Sequence, residues 1–134
     1  MPARAKASPS LGPEARVQTS AQAIAELLRG YRFNHDNEKE LQAGIEQILS
    51  KAGLRFEREC RLGEAGQIDF LVGGVGVEVK IKGSLTAMTI QVHRYTRRDE
   101  VTSLLVATTK KRLLNLPSEM NGKPIVTVWL GGAF

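Results

Sequence analysis

Charged residues interrupt an apolar stretch that runs from Gly66 to Gly83, GQIDFLVGGVGVEVKIKG. Asp69 lies in the first of its two apolar runs, and Glu78 and Lys80 lie in the second. Two carboxylates and a main-chain carbonyl supply the hard oxygen ligands that Mg²⁺ prefers, and a bound Mg²⁺ polarises a phosphoryl oxygen and activates a water. A lysine on the same face can stabilise the negative charge that develops on the phosphate. These residue types therefore suggest metal-dependent hydrolysis of a phosphate ester.

The two apolar runs predict a β-hairpin, because the Gly-Gly pair at positions 73–74 is typical of a two-residue turn. That turn pairs the following residues across the hairpin: Val72 with Val75, Leu71 with Gly76, Phe70 with Val77, Asp69 with Glu78, and Gln67 with Lys80. One face is expected to be apolar throughout, with Ile68, Phe70, Val72, Val75, Val77, Val79 and Ile81. Asp69 and Glu78, the acid pair, then share the other face with Lys80. Two acids directly opposite each other destabilise a sheet unless a cation binds between them. The alternative is an ordinary polar face, since a short Glu-x-Lys pattern is common by chance.

Three helix starts surround the hairpin. Ser20 can cap a short helix that ends at Gly30, and Ser84 can cap a helix that follows the hairpin. Asn37 and Glu40 match a capping box at the start of NEKELQAGIEQILSKAG, the segment with the clearest helical spacing of apolar residues.

The remaining segments indicate strands. LRFERECRL alternates, so one face is expected to carry Leu54, Phe56, Arg58, Cys60 and Leu62. VTSLLVATT is a continuous apolar run typical of a buried strand, and PIVTVWL predicts a last strand. After the short first helix, the order of a helix, three strands, a helix, a strand and an extra strand predicts an α/β (α+β) fold. Its mixed central sheet is expected to be flanked by helices.

Composition bounds the class of protein. The chain has 134 residues, 42 % of them hydrophobic and 25 % charged, as expected for one globular domain. Residues 1–19 are predicted to be a disordered basic tail, which leaves one domain at 20–134. No apolar run approaches the roughly 18 residues needed to cross a bilayer, and no signal peptide is expected. The single cysteine, Cys60, fits a reducing cytoplasm. The net charge of +5 favours an anionic partner, with nucleic acid first and an anionic membrane surface second.

Asp69, eight intervening residues and then Glu78-Val79-Lys80 resemble the D-x(n)-E-x-K signature of the PD-(D/E)XK nuclease superfamily. The order of elements is similar to the αβββαβ core of that superfamily over about residues 37–109. Within it, the chain resembles small phage and bacterial nucleases of the Holliday-junction-resolvase-like and VRR-NUC-like kind. Ile68 stands where the motif has proline, a departure that weakens the likeness more than the chemistry. The resemblance implies a deoxyribonuclease that uses Mg²⁺ or Mn²⁺.

Two residues outside the hairpin complete the expected site. The nucleases that this chain resembles often carry E-x-x-L-Q in the first helix and a glutamine on the helix after the E-x-K strand. The matching residues here are Glu38 with Leu41 and Gln42, and Gln91. Helical spacing also favours Glu38 over Glu40, because Glu38 continues the core-facing stripe through Leu41. Glu38 could instead be a first-turn acid favoured by the helix dipole, and Gln91 a solvent-facing polar residue.

Basic residues follow the elements that flank this site: Lys82, Arg94, Arg97, Arg98, Lys110, Lys111 and Arg112. As a group they are expected to contact DNA phosphates without sequence preference, although any one of them alone is more commonly a solvated surface charge. The apolar end of the chain, PIVTVWLGGAF with Trp129 and Phe134, is a candidate homodimer interface. His35 and His93 are expected to be loop and surface residues.

Together these features predict a Mg²⁺- or Mn²⁺-dependent DNA endonuclease in the cytoplasm of a bacterium or of a phage-infected cell. The acid pair and the Val79 carbonyl are expected to hold the metal, and Lys80 to support the attacking water. Glu38 and Gln91 complete the site. One alternative is a DNA-binding module that keeps the scaffold without turnover, and another is a domain that binds acidic ligands or protein partners. Branched, linear and single-stranded DNA all stay open as substrates, and so does the choice between endonuclease and exonuclease.

Overall fold

A computed structural model of the chain describes residues 19–132. The tail predicted for residues 1–19 lies outside this range except for Thr19, as does Phe134. Within the range the protein has an α+β architecture with a mixed sheet flanked by helices, as the sequence predicts. Three helices pack on six strands, one strand more than the five expected. None of the helices in residues 19–132 is long and apolar enough to cross a membrane.

The three helices begin where the sequence predicts them. They are α1 (Ala21–Arg29), α2 (Glu38–Lys51) and α3 (Leu85–Thr96). Each is opened by a side-chain oxygen that accepts a hydrogen bond from a main-chain N–H three residues further on, and the capping residues are Ser20, Asn37 and Ser84. Such a cap satisfies one of the four N–H groups that a helix start leaves unpaired. In α2 the bond runs from the Glu40 N–H to Asn37 Oδ1 at 2.8 Å.

The strands are β1 (Glu57–Arg61), β2 (Gln67–Val72), β3 (Val75–Lys80), β4 (Ser103–Thr108), β5 (Glu119–Met120) and β6 (Lys123–Trp129). Their order across the sheet is β1-β2-β3-β4-β6-β5. The pairs β3/β4 and β4/β6 are parallel and the others antiparallel, so the carboxyl ends of β3, β4 and β6 lie along one edge. Two 3₁₀ turns, Gly63–Ala65 and Lys111–Asn115, and the short β5 were not predicted.

Each face of the sheet is covered by its own hydrophobic cluster. The first cluster joins α1 and α2 to the sheet and contains Leu41, Ile45, Val77 and Val79. The second joins α3 to the opposite face and contains Val92 and Tyr95. Because β3 alternates between the two faces, Glu78 lies on the side of α3, between two valines that point toward α2.

Strict alternation along β1 and β2, which the sequence predicts, is wrong in one place. The paired residues Arg58 and Phe70 belong to the α2 side, where Arg58 pairs with Glu46. The next pair in the ladder, Cys60 and Ile68, belongs to the α3 side instead. Both strands therefore change face at the level of Glu59 and Asp69, and so Ile68 does not share a face with Phe70.

In β1 the physical cause of this change is the conformation of Glu59. Its φ of 52° lies in the left-handed region, whereas alternation of side chains requires an extended backbone. A left-handed backbone is uncommon outside glycine, asparagine and aspartate. Neither the residue type of Glu59 nor the alternating pattern therefore predicts this conformation. The consequence is a break in the β1/β2 ladder directly beside Asp69.

Candidate active site

The hairpin opens at the acid pair. Its register is as predicted from Val72–Val75 to Phe70–Val77, but the predicted main-chain pairs Asp69–Glu78 and Gln67–Lys80 are not part of the ladder. Carboxylates replace the missing ladder bonds: the Val79 N–H donates to Asp69 Oδ2 at 2.7 Å, and the Asp69 N–H donates to Glu78 Oε1 at 3.4 Å. Each acid is thus fixed by the backbone of the opposite strand. This geometry replaces the predicted face-to-face pairing and holds the two acids beside each other.

The first turn of α2 brings Glu38 to the same place. Glu38 Oε2 accepts a hydrogen bond from the Ile81 N–H at 3.2 Å, just beyond the end of β3, and its negative charge acts on Asp69. Glu40, two residues along the helix, instead lines an open groove of about 750 Å³ between α2 and the loop that contains Arg32 and Asn34. Of the two helical acids, only Glu38 therefore lies at the acid pair.

Lys80 supplies the positive charge nearest to Glu78. Its Nζ lies 3.8 Å from Glu78 Oε2, and about a third of its side chain is exposed, whereas the Glu78 side chain is 8 % exposed. The lysine thus reaches from the buried acid toward solvent, where a phosphate could approach it. Such a placement suits a group that stabilises negative charge on a substrate.

Tyr95 on α3 is a member of the site that the sequence did not single out. Its hydroxyl lies 2.9 Å from the Gln67 carbonyl and 3.3 Å from Glu78 Oε1. The predicted site residue Gln91 donates to the Ala65 carbonyl at 3.2 Å, and its side chain opposes the rise in the pKa of Tyr95. No hydrogen bond joins Gln91 directly to the acid pair in the described residues, so it reaches Glu78 only through Tyr95. The i, i+4 spacing of these two residues on α3 was the available signal for Tyr95.

The acid pair is short of positive charge. Burial, and after it the neighbouring negative charge of Asp69, raise the pKa of Glu78 to about 8, while Lys80 opposes the rise. Burial also raises the pKa of Asp69, against the lowering effect of the Val79 N–H. Burial and the nearby Glu78 raise the pKa of Tyr95 in the same way. Three acids converge here with one lysine, so the ionised site is electrostatically unfavourable without a further cation.

The donor set fits a small, hard cation that keeps part of its water shell. Within residues 19–132, no three His, Cys, Asp or Glu side chains are grouped closely enough to hold a metal by themselves. The available donors are the carboxylates of Asp69 and Glu78, with the Val79 carbonyl between Glu78 and Lys80 in the chain. Mg²⁺ is bound in this manner, through one or two carboxylates and several waters. A divalent cation would also stabilise the ionised form of the buried Glu78.

The predicted basic residues are distributed over several loops. Lys82 follows β3, and Lys110, Lys111 and Arg112 follow β4, so these four lie at the carboxyl edge of the parallel strands. Arg94 and Arg97 are exposed near the end of α3. Arg98 pairs with Glu100 at 3.2 Å and packs against Gly63. His93 is exposed, as predicted, and His35 is half-buried in the loop before α2.

The strand proposed for a dimer interface, β6, has a partner strand on both sides only at its start. β6 is paired with β4 along Ile125–Trp129 and with β5 at Lys123 and Pro124. Trp129, which the sequence analysis named in that interface, lies next to the carboxyl edge of the parallel strands and is 37 % exposed.

Comparisons with protein-family models, with curated proteins and with solved structures found no match to this chain. The fold and the site therefore define the class on their own. The protein is an α+β domain in which a hairpin opens at an acid pair, with Glu78 buried and Asp69 half-buried, and with one lysine and a third acid from a helix start beside the pair.

Proposed function

We propose that this protein is a metal-dependent nuclease that hydrolyses phosphodiester bonds in DNA. The observation that carries the proposal is the opened hairpin, in which Asp69 and Glu78 are each fixed by the opposite strand while Lys80 stands beside them. Two acids held side by side, one of them buried, are unfavourable for stability alone, and a site that lowers stability in this way commonly serves binding or catalysis. The resemblance of Asp69, Glu78 and Lys80 to the PD-(D/E)XK signature points the same way.

Each residue then has a role that follows from its contacts. Mg²⁺ or Mn²⁺ held by Asp69, Glu78 and the Val79 carbonyl would polarise the phosphoryl oxygen and lower the pKa of a bound water. Lys80 extends from Glu78 toward solvent, so it stabilises the negative charge that grows on the phosphate. Glu38 anchors the end of β3 through the Ile81 N–H and adds negative charge near Asp69.

Tyr95 and Gln91 act as positioning residues in this scheme. Tyr95 holds Glu78 Oε1 from the side of α3, and Gln91 lies one helical turn before the tyrosine, fixed by the Ala65 carbonyl. A carboxylate with a fixed oxygen binds a metal in one orientation, which is what a reaction with strict geometry requires. Sequence-independent phosphate contacts are assigned to the basic residues, foremost those that follow β3 and β4.

The test is a cleavage assay with Mg²⁺ or Mn²⁺ on single-stranded, linear duplex and branched DNA. Wild-type protein is compared with Glu78→Gln, Lys80→Ala, and the control Glu119→Gln, which alters an exposed acid on β5. Cleavage is expected to fall by about 10²-fold or more for the first two variants while DNA binding persists, and to be unchanged for the control. Binding without cleavage by the wild type on every substrate and with both metals would favour a DNA-binding module that keeps the scaffold without turnover.

A further inference from the structure

One row of residues crosses the carboxyl ends of the three parallel strands. Lys80 is the register partner of Thr108, and Thr108 is the register partner of Trp129. Partners in neighbouring parallel strands point to the same face, and neighbouring strands lie about 4.8 Å apart, so Trp129 shares the face of Lys80 at a main-chain distance of roughly 10 Å. An aromatic ring therefore stands two strands away from the lysine of the proposed active site.

The ring of Trp129 is exposed but held in place. Trp129 is 37 % exposed, and its Nε1 donates to the Thr109 carbonyl at 3.1 Å. Gly131 packs closely against it, since a Cβ at Gly131 would lie 2.9 Å from Nε1. A ring that is already fixed loses little conformational freedom when a ligand stacks on it. Its hydrogen bond is satisfied inside the protein, which leaves the exposed part of the ring for apolar contact.

One basic group lies over this ring, and others lie at the same edge of the sheet. Lys111 Nζ lies 4.8 Å from the ring centroid, and Arg112 Nε donates to the Gly83 carbonyl at 2.8 Å. The latter bond ties the 3₁₀ turn after β4 to the loop after β3, where Lys82 is exposed. An aromatic ring with a cationic rim is complementary to a nucleotide, because the base presents a π-face and the phosphate a negative charge.

We propose that Trp129 is a stacking platform for the base of an unpaired nucleotide next to the phosphate that is cleaved. This inference rests on the proposed nuclease function and specifies its substrate as DNA with an unpaired segment. The base stacks on the exposed part of the ring, and the ammonium of Lys111 moves from the ring to an adjacent phosphate. Bases inside a continuous duplex are stacked on one another, so the platform selects single-stranded, gapped or branched DNA.

Trp129 is the only tryptophan of the chain, so its fluorescence reports on the platform alone. The first measurement uses full-length wild-type protein in Ca²⁺ in place of Mg²⁺, with the DNA checked to be intact afterwards. A short single-stranded oligonucleotide is expected to quench the fluorescence. The same sugar-phosphate strand without bases, and a blunt duplex of equal length, are expected to quench it much less at equal occupancy. Equal quenching by the strand without bases would overturn the platform.

The second measurement compares variants by the anisotropy of a labelled single strand. Trp129→Ala is expected to weaken binding about ten-fold, the order of magnitude of one lost base–aromatic stack, and Trp129→Phe to restore most of it. The control is Tyr31→Ala, because Tyr31 is also exposed and lies under a lysine, Lys51, at the far end of α2 from Glu38. Unchanged binding by Trp129→Ala, or equal weakening by Tyr31→Ala, would contradict the inference.

The outcomes separate the two proposals. If cleavage requires metal and Lys80 but strands with and without bases behave alike, the nuclease proposal stands and the stacking platform at Trp129 is rejected. If the quenching depends on bases but no substrate is cleaved, Trp129 is a platform that binds single strands and the nuclease proposal is rejected.

Discussion

Replacing Glu78 with glutamine is expected to stabilise the metal-free protein at alkaline pH. Burial raises the pKa of Glu78 in the folded chain to about 8 from an ordinary value of 4.5. A raised pKa means that the folded state binds this proton more tightly than the unfolded state does. The associated stability is therefore fully present below pH 4.5 and is lost as the pH rises from there through about 8.

The size of this loss follows from the shift. Each pKa unit corresponds to about 1.4 kcal/mol, so the shift to about 8 places an upper limit of about 5 kcal/mol on the loss due to Glu78. Glutamine removes the charge but keeps a side-chain oxygen that can accept from the Asp69 N–H and the Tyr95 hydroxyl. Glu78→Gln should match the wild type within about 1 kcal/mol at pH 5 and exceed it by about 2–5 kcal/mol at pH 8–9.

The assay is urea unfolding in EDTA at a series of pH values, with Glu119→Gln as the exposed-acid control. The free energies of unfolding of wild type and Glu78→Gln should diverge steadily as the pH rises, while the control follows the wild type. Parallel profiles for wild type and Glu78→Gln over this range would show that Glu78 is ionised at no cost in the folded chain. The reasoning about the charge-poor acid pair would then be wrong.

The remaining predictions concern the metal, the tyrosine and the sheet. Mg²⁺ should raise the melting temperature of the wild type at pH 8 far more than at pH 5, because metal binding requires the ionised acids; an equal shift at both pH values in calorimetry would contradict this. Tyr95→Phe should lower the free energy of urea unfolding by about 1–2 kcal/mol and reduce cleavage while DNA binding persists; unchanged cleavage would remove its positioning role. Gly76→Ala should destabilise the fold by about 1–3 kcal/mol, because its Cβ would lie 2.6 Å from Ile68 Cδ1. The control Gly30→Ala should not destabilise it, because the nearest atom to its Cβ would be 3.5 Å away. Similar urea midpoints for the two variants would refute this packing.

Local features of the fold could be predicted from the sequence because short-range chemistry decides them. The caps at Ser20, Asn37 and Ser84 depend on a side-chain oxygen and the next three residues. The turn at 73–74 depends on two glycines, of which Gly73 has a φ of +60°. The bounds of α1 to α3, β3 and β4 follow closely from these signals and from apolar spacing.

The features that the sequence could not supply depend on contacts between distant segments. The left-handed Glu59 breaks the alternation of β1 before Cys60, which lies on the face of α3, and nothing in an alternating pattern marks such a residue. The opening of the hairpin at Asp69 and Glu78 replaces main-chain pairs with side-chain bonds, which a register rule cannot anticipate. The exposure of Trp129 on the face of Lys80 emerges only from the alignment of three strands that are separated in sequence.

The most direct test of the central claim is a titration of the protein with Mn²⁺ at pH 8, followed by calorimetry or by the electron paramagnetic resonance of free Mn²⁺. The account predicts saturable binding that is lost or strongly weakened in both Asp69→Asn and Glu78→Gln and is retained in Glu119→Gln. Binding that is the same in all four proteins would contradict a metal site at the acid pair.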